Sequence, residues 1–243
     1  MVGFWGNGSL NARTVKVQEG CTRCFGDDEE AAGSLSQITV PEPMGATTAV
    51  VLMTVAISWW FMEKPTRDNL MLIPFRCHHH SEWHRVFTHA LVHADWMHLA
   101  FNMFVLYEFG QTVEADLSPM GWLGFPFLYL AGVLGGAVPA LRKHRINRGY
   151  RSLGASGAVS AVLISFILLH PDTTLLLFFI VPVPAVLAGV LFFWYESRMN
   201  QRSGSRVAHD AHLGGAILGL VWTIIAKPEA LVTSLESLWG LLG

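Results

Sequence analysis

The sequence predicts an all-α membrane protein: a bundle of six transmembrane helices with a long first loop lying in the membrane interface. Three observations predict it. Of 243 residues, 52% are hydrophobic and only 14% charged, with mean hydropathy +0.41. Ordinary soluble domains carry about a quarter charged residues. Six apolar stretches, separated by polar connections, recur between residues 46 and 226. Nine Trp and fifteen Phe suit a chain that anchors rings at membrane interfaces. A net charge of -2 supplies no basic field, so nucleic acid is not an expected partner.

Residues 1 to 45 are rich in Gly, Ser and acidic residues and contain no apolar h-region. They read as a disordered tail, not a signal peptide. Cys21-Thr22-Arg23-Cys24 lies there without a second pair to complete a metal site, and three cysteines make no disulfide framework. Neither a metal nor any other cofactor is expected.

The first span covers residues 46 to 62, anchored by Trp59, Trp60 and Phe61. Residues 63 to 96 mix Pro65, Pro74, Arg67, Arg85 and a histidine cluster, which suggests short interfacial helices. The run Cys77-His78-His79-His80 lacks a recurring ligand spacing and reads as polar loop, not metal site. The second span is 96 to 109, the third 121 to 140, and a basic loop, 141 to 153, follows. The fourth is 156 to about 169. Pro182 and Pro184 argue for an extended entry to a fifth span beginning near 184. Residues 196 to 208 read as a polar loop, 209 to 226 as the sixth span, and 227 to 243 as a short tail. Lys and Arg concentrate in the first, third and fifth loops, which the positive-inside rule would place in the cytoplasm.

Three polar motifs interrupt these spans. Gly154-Ala155-Ser156-Gly157 opens the fourth, with glycines that let other backbone approach Ser156. About fifteen helical residues follow, roughly 22 Å at about 1.5 Å each, short of the roughly 30 Å of bilayer hydrocarbon. If that helix starts inside the membrane, Ser156 lies below the surface and needs a water-filled cavity. His212 opens the sixth span, followed by Gly215 and Gly219, a Gly-x-x-x-Gly pair that allows close helix approach. The facing small residues would be Gly157 and Ala161. A serine and an ionisable histidine on closely packed membrane helices suggest a nucleophile and its base. His98 and Asn102, four apart, point from one face of the second span as donors suited to an oxyanion. Each motif has a plainer reading. An isolated Gly-x-Ser-Gly is usually a helix contact, and a lone polar residue usually a hydrogen bond between helices. Three motifs on three spans favour chemistry.

Together, His98-x-x-x-Asn102, Gly154-x-Ser156-Gly157 and Ala211-His212-x-x-Gly215-x-x-x-Gly219 resemble the rhomboid intramembrane serine proteases. The likeness extends to Arg85 through Leu91 and to Glu114, and covers about residues 46 to 226. It implies a rhomboid bundle, with the usual arrangement placing the odd loops outside, opposite to the charge rule. It further implies a Ser156–His212 dyad, with His98 and Asn102 helping Ser156 N–H hold the oxyanion. Its substrates would be single-pass transmembrane proteins in the lipid bilayer, cut at small residues near helix-weakening ones. A catalytically inactive rhomboid-like protein that binds membrane helices is the alternative. A channel would instead string polar residues along a path, whereas here they cluster at one depth. The expected location is a bacterial plasma (inner) membrane. Two departures stand out. His84 replaces the family's Trp before Arg85, and Ser160 stands where some members place an aromatic against the catalytic histidine. No carboxylate is clearly placed to orient His212, since Asp210 faces elsewhere; other contacts must position it.

Overall fold

The computed structural model describes residues 2–3, 44–177, 180–201 and 208–242. The expected disordered tail and the Cys21/Cys24 pair lie almost wholly outside these residues, as do residues 202–207 of the expected polar loop.

Helix α1 (Ala46–Phe61) starts without a capping side chain of its own. Glu114 supplies the cap from elsewhere: its carboxylate accepts from the N–H groups of Ala46 and Thr47 at 2.5 and 2.8 Å. Two of the first orphan donors of α1 are thereby satisfied. The first loop holds two short helices, α2 (Pro74–His80) and α3 (Arg85–Thr88). Buried Arg85 organises it, donating to the carbonyls of Asp68 and Met71 and to Glu82. That pairing holds the Glu82 carboxyl below its usual range. The histidine run is structural here. His79 stacks on Phe75, His78 bonds the Leu141 carbonyl, and Cys77 is buried.

Helix α4 (Trp96–Leu117) is capped by Asp95, whose side chain accepts from His98 N at 2.8 Å. It runs eight residues past the expected end at 109, because Val113 and Leu117 continue its buried face while Glu114 reaches α1. Helices α5 (Phe125–Lys143) and α6 (Ser156–Leu169) follow. The extended entry is a β-hairpin, Thr174–Leu177 against Val181–Pro184, with Leu175 opposite Val183. Val2–Gly3 pairs with the other side of its first strand. Pro182 and Pro184 therefore sit on an edge strand, where a missing N–H breaks no ladder. Helices α7 (Ala185–Asn200), α8 (His209–Ala226) and α9 (Pro228–Leu242) complete the order. The tail is thus a helix, bonded through Ser234 to the Leu168 carbonyl at the end of α6.

Helix α6 is the centre. It packs on α4, α5 and α8, and nearly all its residues are buried. Phe166 meets Phe109 of α4 with ring centroids 4.7 Å apart. Among the described residues, α5 and α8 are long and apolar enough by themselves to cross a membrane, while α1 and α6 are shorter apolar helices.

Candidate active site

Small residues set the geometry. A Cβ added to Gly215 would land on the carbonyl oxygen of Gly157, and one on Gly219 would lie 2.6 Å from Cα of Ala161. Gly132 of α5 stands equally close to Cα of Ala158, at 2.7 Å, and Gly136 faces Gly157 at 3.1 Å. Backbones of α5, α6 and α8 therefore touch, with Gly157 and Ala161 as the facing residues. A Cβ on Gly157 would meet Ala211 O at 3.4 Å, so the residues beside Ser156 and His212 are neighbours.

Gly154 takes φ +115°, a region L side chains rarely adopt, and its Cα faces the His98 ring closely enough that a Cβ would come within 2.6 Å of Cε1. The first loop grips the approach to Ser156. Gly154 N donates to His89 O at 2.9 Å, and Ala155 N donates to His93 Nε2 at 3.3 Å. His93 is itself held by Ser58 Oγ at 2.9 Å from its Nδ1. Burial pushes both imidazoles far down, His89 to about 4 and His93 to about 3, so each is neutral.

Ser156 is the first residue of α6, His212 lies in the first turn of α8, and His98 in the first turn of α4 with Asn102 one turn on. All four line one cavity of about 1310 Å³. Its lining also includes the charged residues Asp95, Lys143 and Arg151. Asn102 Nδ2 donates to His98 O at 2.8 Å, which uses one amide hydrogen and leaves the second.

The sequence reading missed Glu196. It is not in a loop but in α7, buried, with Oε1 accepting from His212 Nδ1 at 3.0 Å and Oε2 from His209 Nδ1 at 2.6 Å. A carboxylate lying just past the apolar run that ends at Trp194 was the available signal, because ionisable groups in membrane helices are rare. Donor atoms of Glu196, His209 and His212 all lie within 4.8 Å of one another, a spacing and donor set that a metal ion could also use.

A family model for the Rhomboid domain matches residues 80–229. "RHOMBOID-like protein 12, mitochondrial" of Arabidopsis thaliana is 33% identical over 189 residues, covering 71% of this chain and 55% of the relative. "Rhomboid-like protein 11, chloroplastic" of the same plant is 31% identical, covering 63% and 56%. "Rhomboid protein 1, mitochondrial" of Saccharomyces cerevisiae is 35% identical, covering 55% and 39%. The chain spans about half the length of the first two and less of the third. These names correct the expected bacterial inner membrane, since the relatives belong to mitochondria and chloroplasts of eukaryotes. Nothing in the three motifs distinguishes the two settings, because they encode a site and not an address. With the family model spanning well over half of the sequence and covering all three motifs, the chain belongs to the rhomboid family.

Proposed function

We propose that the chain is an intramembrane serine endopeptidase whose six helices α1, α4, α5, α6, α7 and α8 cross a mitochondrial or chloroplast membrane. The observation that carries this is the gathering of Ser156, His212, His98 and Asn102, from three helices, around one cavity whose lining includes charged side chains. Ser156 Oγ attacks the scissile carbonyl while His212 Nε2 takes its proton. The tetrahedral oxyanion is met by Ser156 N–H, which has no acceptor within its own helix at that position, and by His98 and Asn102. His212 returns the proton to the leaving amine, and water then hydrolyses the acyl-serine by the same route. The substrate is a single-pass membrane protein whose helix unwinds at the cut, because a helical carbonyl is already engaged.

The test is cleavage of a model single-pass substrate by the purified chain in lipid vesicles. The native chain should cleave it, and Ser156→Ala should lose on the order of 10⁴-fold or more in turnover. Substrate binding without cleavage by a folded native chain would instead establish the inactive, helix-binding alternative. Co-fractionation with markers of one organelle tests the location.

A further inference from the structure

We infer that Glu196 of α7 is the positioning carboxylate for His212, making the Ser156–His212 pair a three-membered relay braced by His209. The inference rests on the serine-protease reading above and names a residue outside its motifs.

A buried carboxylate needs both oxygens satisfied. Glu196 achieves this with two imidazoles from one helix turn of α8: Oε1 with His212 at 3.0 Å and Oε2 with His209 at 2.6 Å. Both contacts use Nδ1. An N–H donating to a carboxylate keeps the proton on Nδ1 and leaves the lone pair on Nε2, the state a general base requires. When His212 takes the serine proton, the adjacent negative charge stabilises the imidazolium. The second bond, to His209, stops the carboxylate from rotating away from His212.

Ser160 explains why such a device is needed. It is a small, buried residue one turn beyond Ser156, and offers no ring to stack against the base. The His209 ring stands edge-on to His212, at 80° with centroids 6.1 Å apart, and is not stacked on it. Orientation of His212 thus falls to the hydrogen bond. A metal ion shared by these side chains would have the opposite effect. Bound at Nδ1 of His212 it would displace that proton and leave the ring's remaining hydrogen on Nε2, unable to accept from Ser156.

The experiment measures kcat and KM of the full chain in vesicles for the native sequence, Glu196→Asp, Glu196→Gln and Ser156→Ala. An amide must turn its NH2 toward one of the two histidines, so it cannot hold both in the Nδ1–H state. Glu196→Gln should lower kcat by on the order of 100-fold with KM unchanged. Glu196→Asp, which keeps the charge on a shorter arm, should recover about tenfold of that loss. A folded Glu196→Gln with native kcat, or one with raised KM and native kcat, overturns the assignment. So does activity abolished by a chelator and restored by zinc. If Glu196→Gln fails to fold, Glu196→Asp decides: a reduced kcat at constant KM supports the relay, and native kcat sinks it. Ser156→Ala separates the two levels. If that variant still cleaves, the protease reading fails; if it is inactive while the Glu196 variants match the native chain, only the relay fails.

Discussion

The start of α6 is held from two sides by different physics. Toward α5 and α8 it meets bare backbone, with Gly132, Gly136, Gly215 and Gly219 leaving no room for a Cβ. Toward the first loop and α7 the site is held by polar groups: His89 O and His93 Nε2 on residues 154 and 155, and Glu196 on His212. The first kind of contact fixes distance and is indifferent to protons. The second fixes orientation and, where its partners are the His93 and Glu196 side chains, depends on protonation state. A serine and a histidine on separate helices need both, since proximity without the right tautomer gives no base, and the right tautomer at a distance reaches nothing.

Of three further changes, breaking the glycine contact has the largest expected effect. Gly219→Val forces branched carbons into the backbone of Ala161. A displacement of about 1 Å at the proposed dyad costs on the order of 100-fold in rate, and overpacking lowers stability by about 1–3 kcal/mol. Vesicle cleavage and thermal unfolding in detergent, run together, check this. The loss of stability should be equal at pH 7.5 and pH 5; native activity with unchanged melting would mean that α6 and α8 do not meet through this face.

The polar side should respond to pH instead. His89 and His93 are neutral when folded because burial depresses their pKa to about 4 and about 3. In the unfolded chain each titrates near its usual value, about 6.5, and below that pH the unfolded state binds more protons. Stability is therefore complete above about pH 7 and falls as pH drops from about 6.5 toward 4, by on the order of 1–2 kcal/mol per histidine at pH 5. Melting of the native chain should fall accordingly, and His93→Asn should show a weaker pH dependence. A melting temperature constant from pH 7.5 to pH 5 would rule out buried neutral histidines as the clamp.

The smallest effect sharpens the comparison where a polar contact lies inside the glycine face. Thr223 donates to Gly219 O at 2.8 Å and so accepts from Ser165 Oγ at 2.6 Å, both side chains fully buried. It sits eleven residues beyond His212, about 16 Å along α8. Thr223→Val leaves Ser165 without this acceptor at a cost of about 0.6–1.7 kcal/mol, the range for hydrogen bonds between membrane helices. Cleavage by the native-like site should be unchanged. A large loss of activity would show that this bond, rather than the glycines, sets the spacing.

What the sequence revealed follows the same division. Ser156, His212, His98 and Asn102 stood out as candidates because each polar residue interrupts an apolar run at a spacing that fixes its helix face, and all four line the same cavity. The ends of α6 and α8 coincide with the changes in hydropathy that mark them, at Ser156 and Leu169 and at His209 and Ala226. The full length of α4 was hidden because Gln111, Glu114 and Asp116 look like loop, and only the α1 terminus explains Glu114. Glu196 was hidden for a related reason. Its partners lie 13 and 16 residues away on another helix, and no local pattern announces a carboxylate that is satisfied by tertiary contacts. His93 looked like one of several loop histidines until its bond to Ala155 N appeared.

The shortness of α6 bears on what becomes of the two halves of a severed substrate. Its fourteen residues span about 21 Å, and Ser156 begins it. In the proposed arrangement every cut falls at one fixed depth, about 21 Å from the far end of this helix. One fragment then keeps most of its hydrophobic anchor and stays embedded. The other keeps only a stub of a few apolar residues, too short to hold it in lipid. In the proposed reaction a single hydrolysis would thereby sort its own products, retaining one fragment and releasing the other.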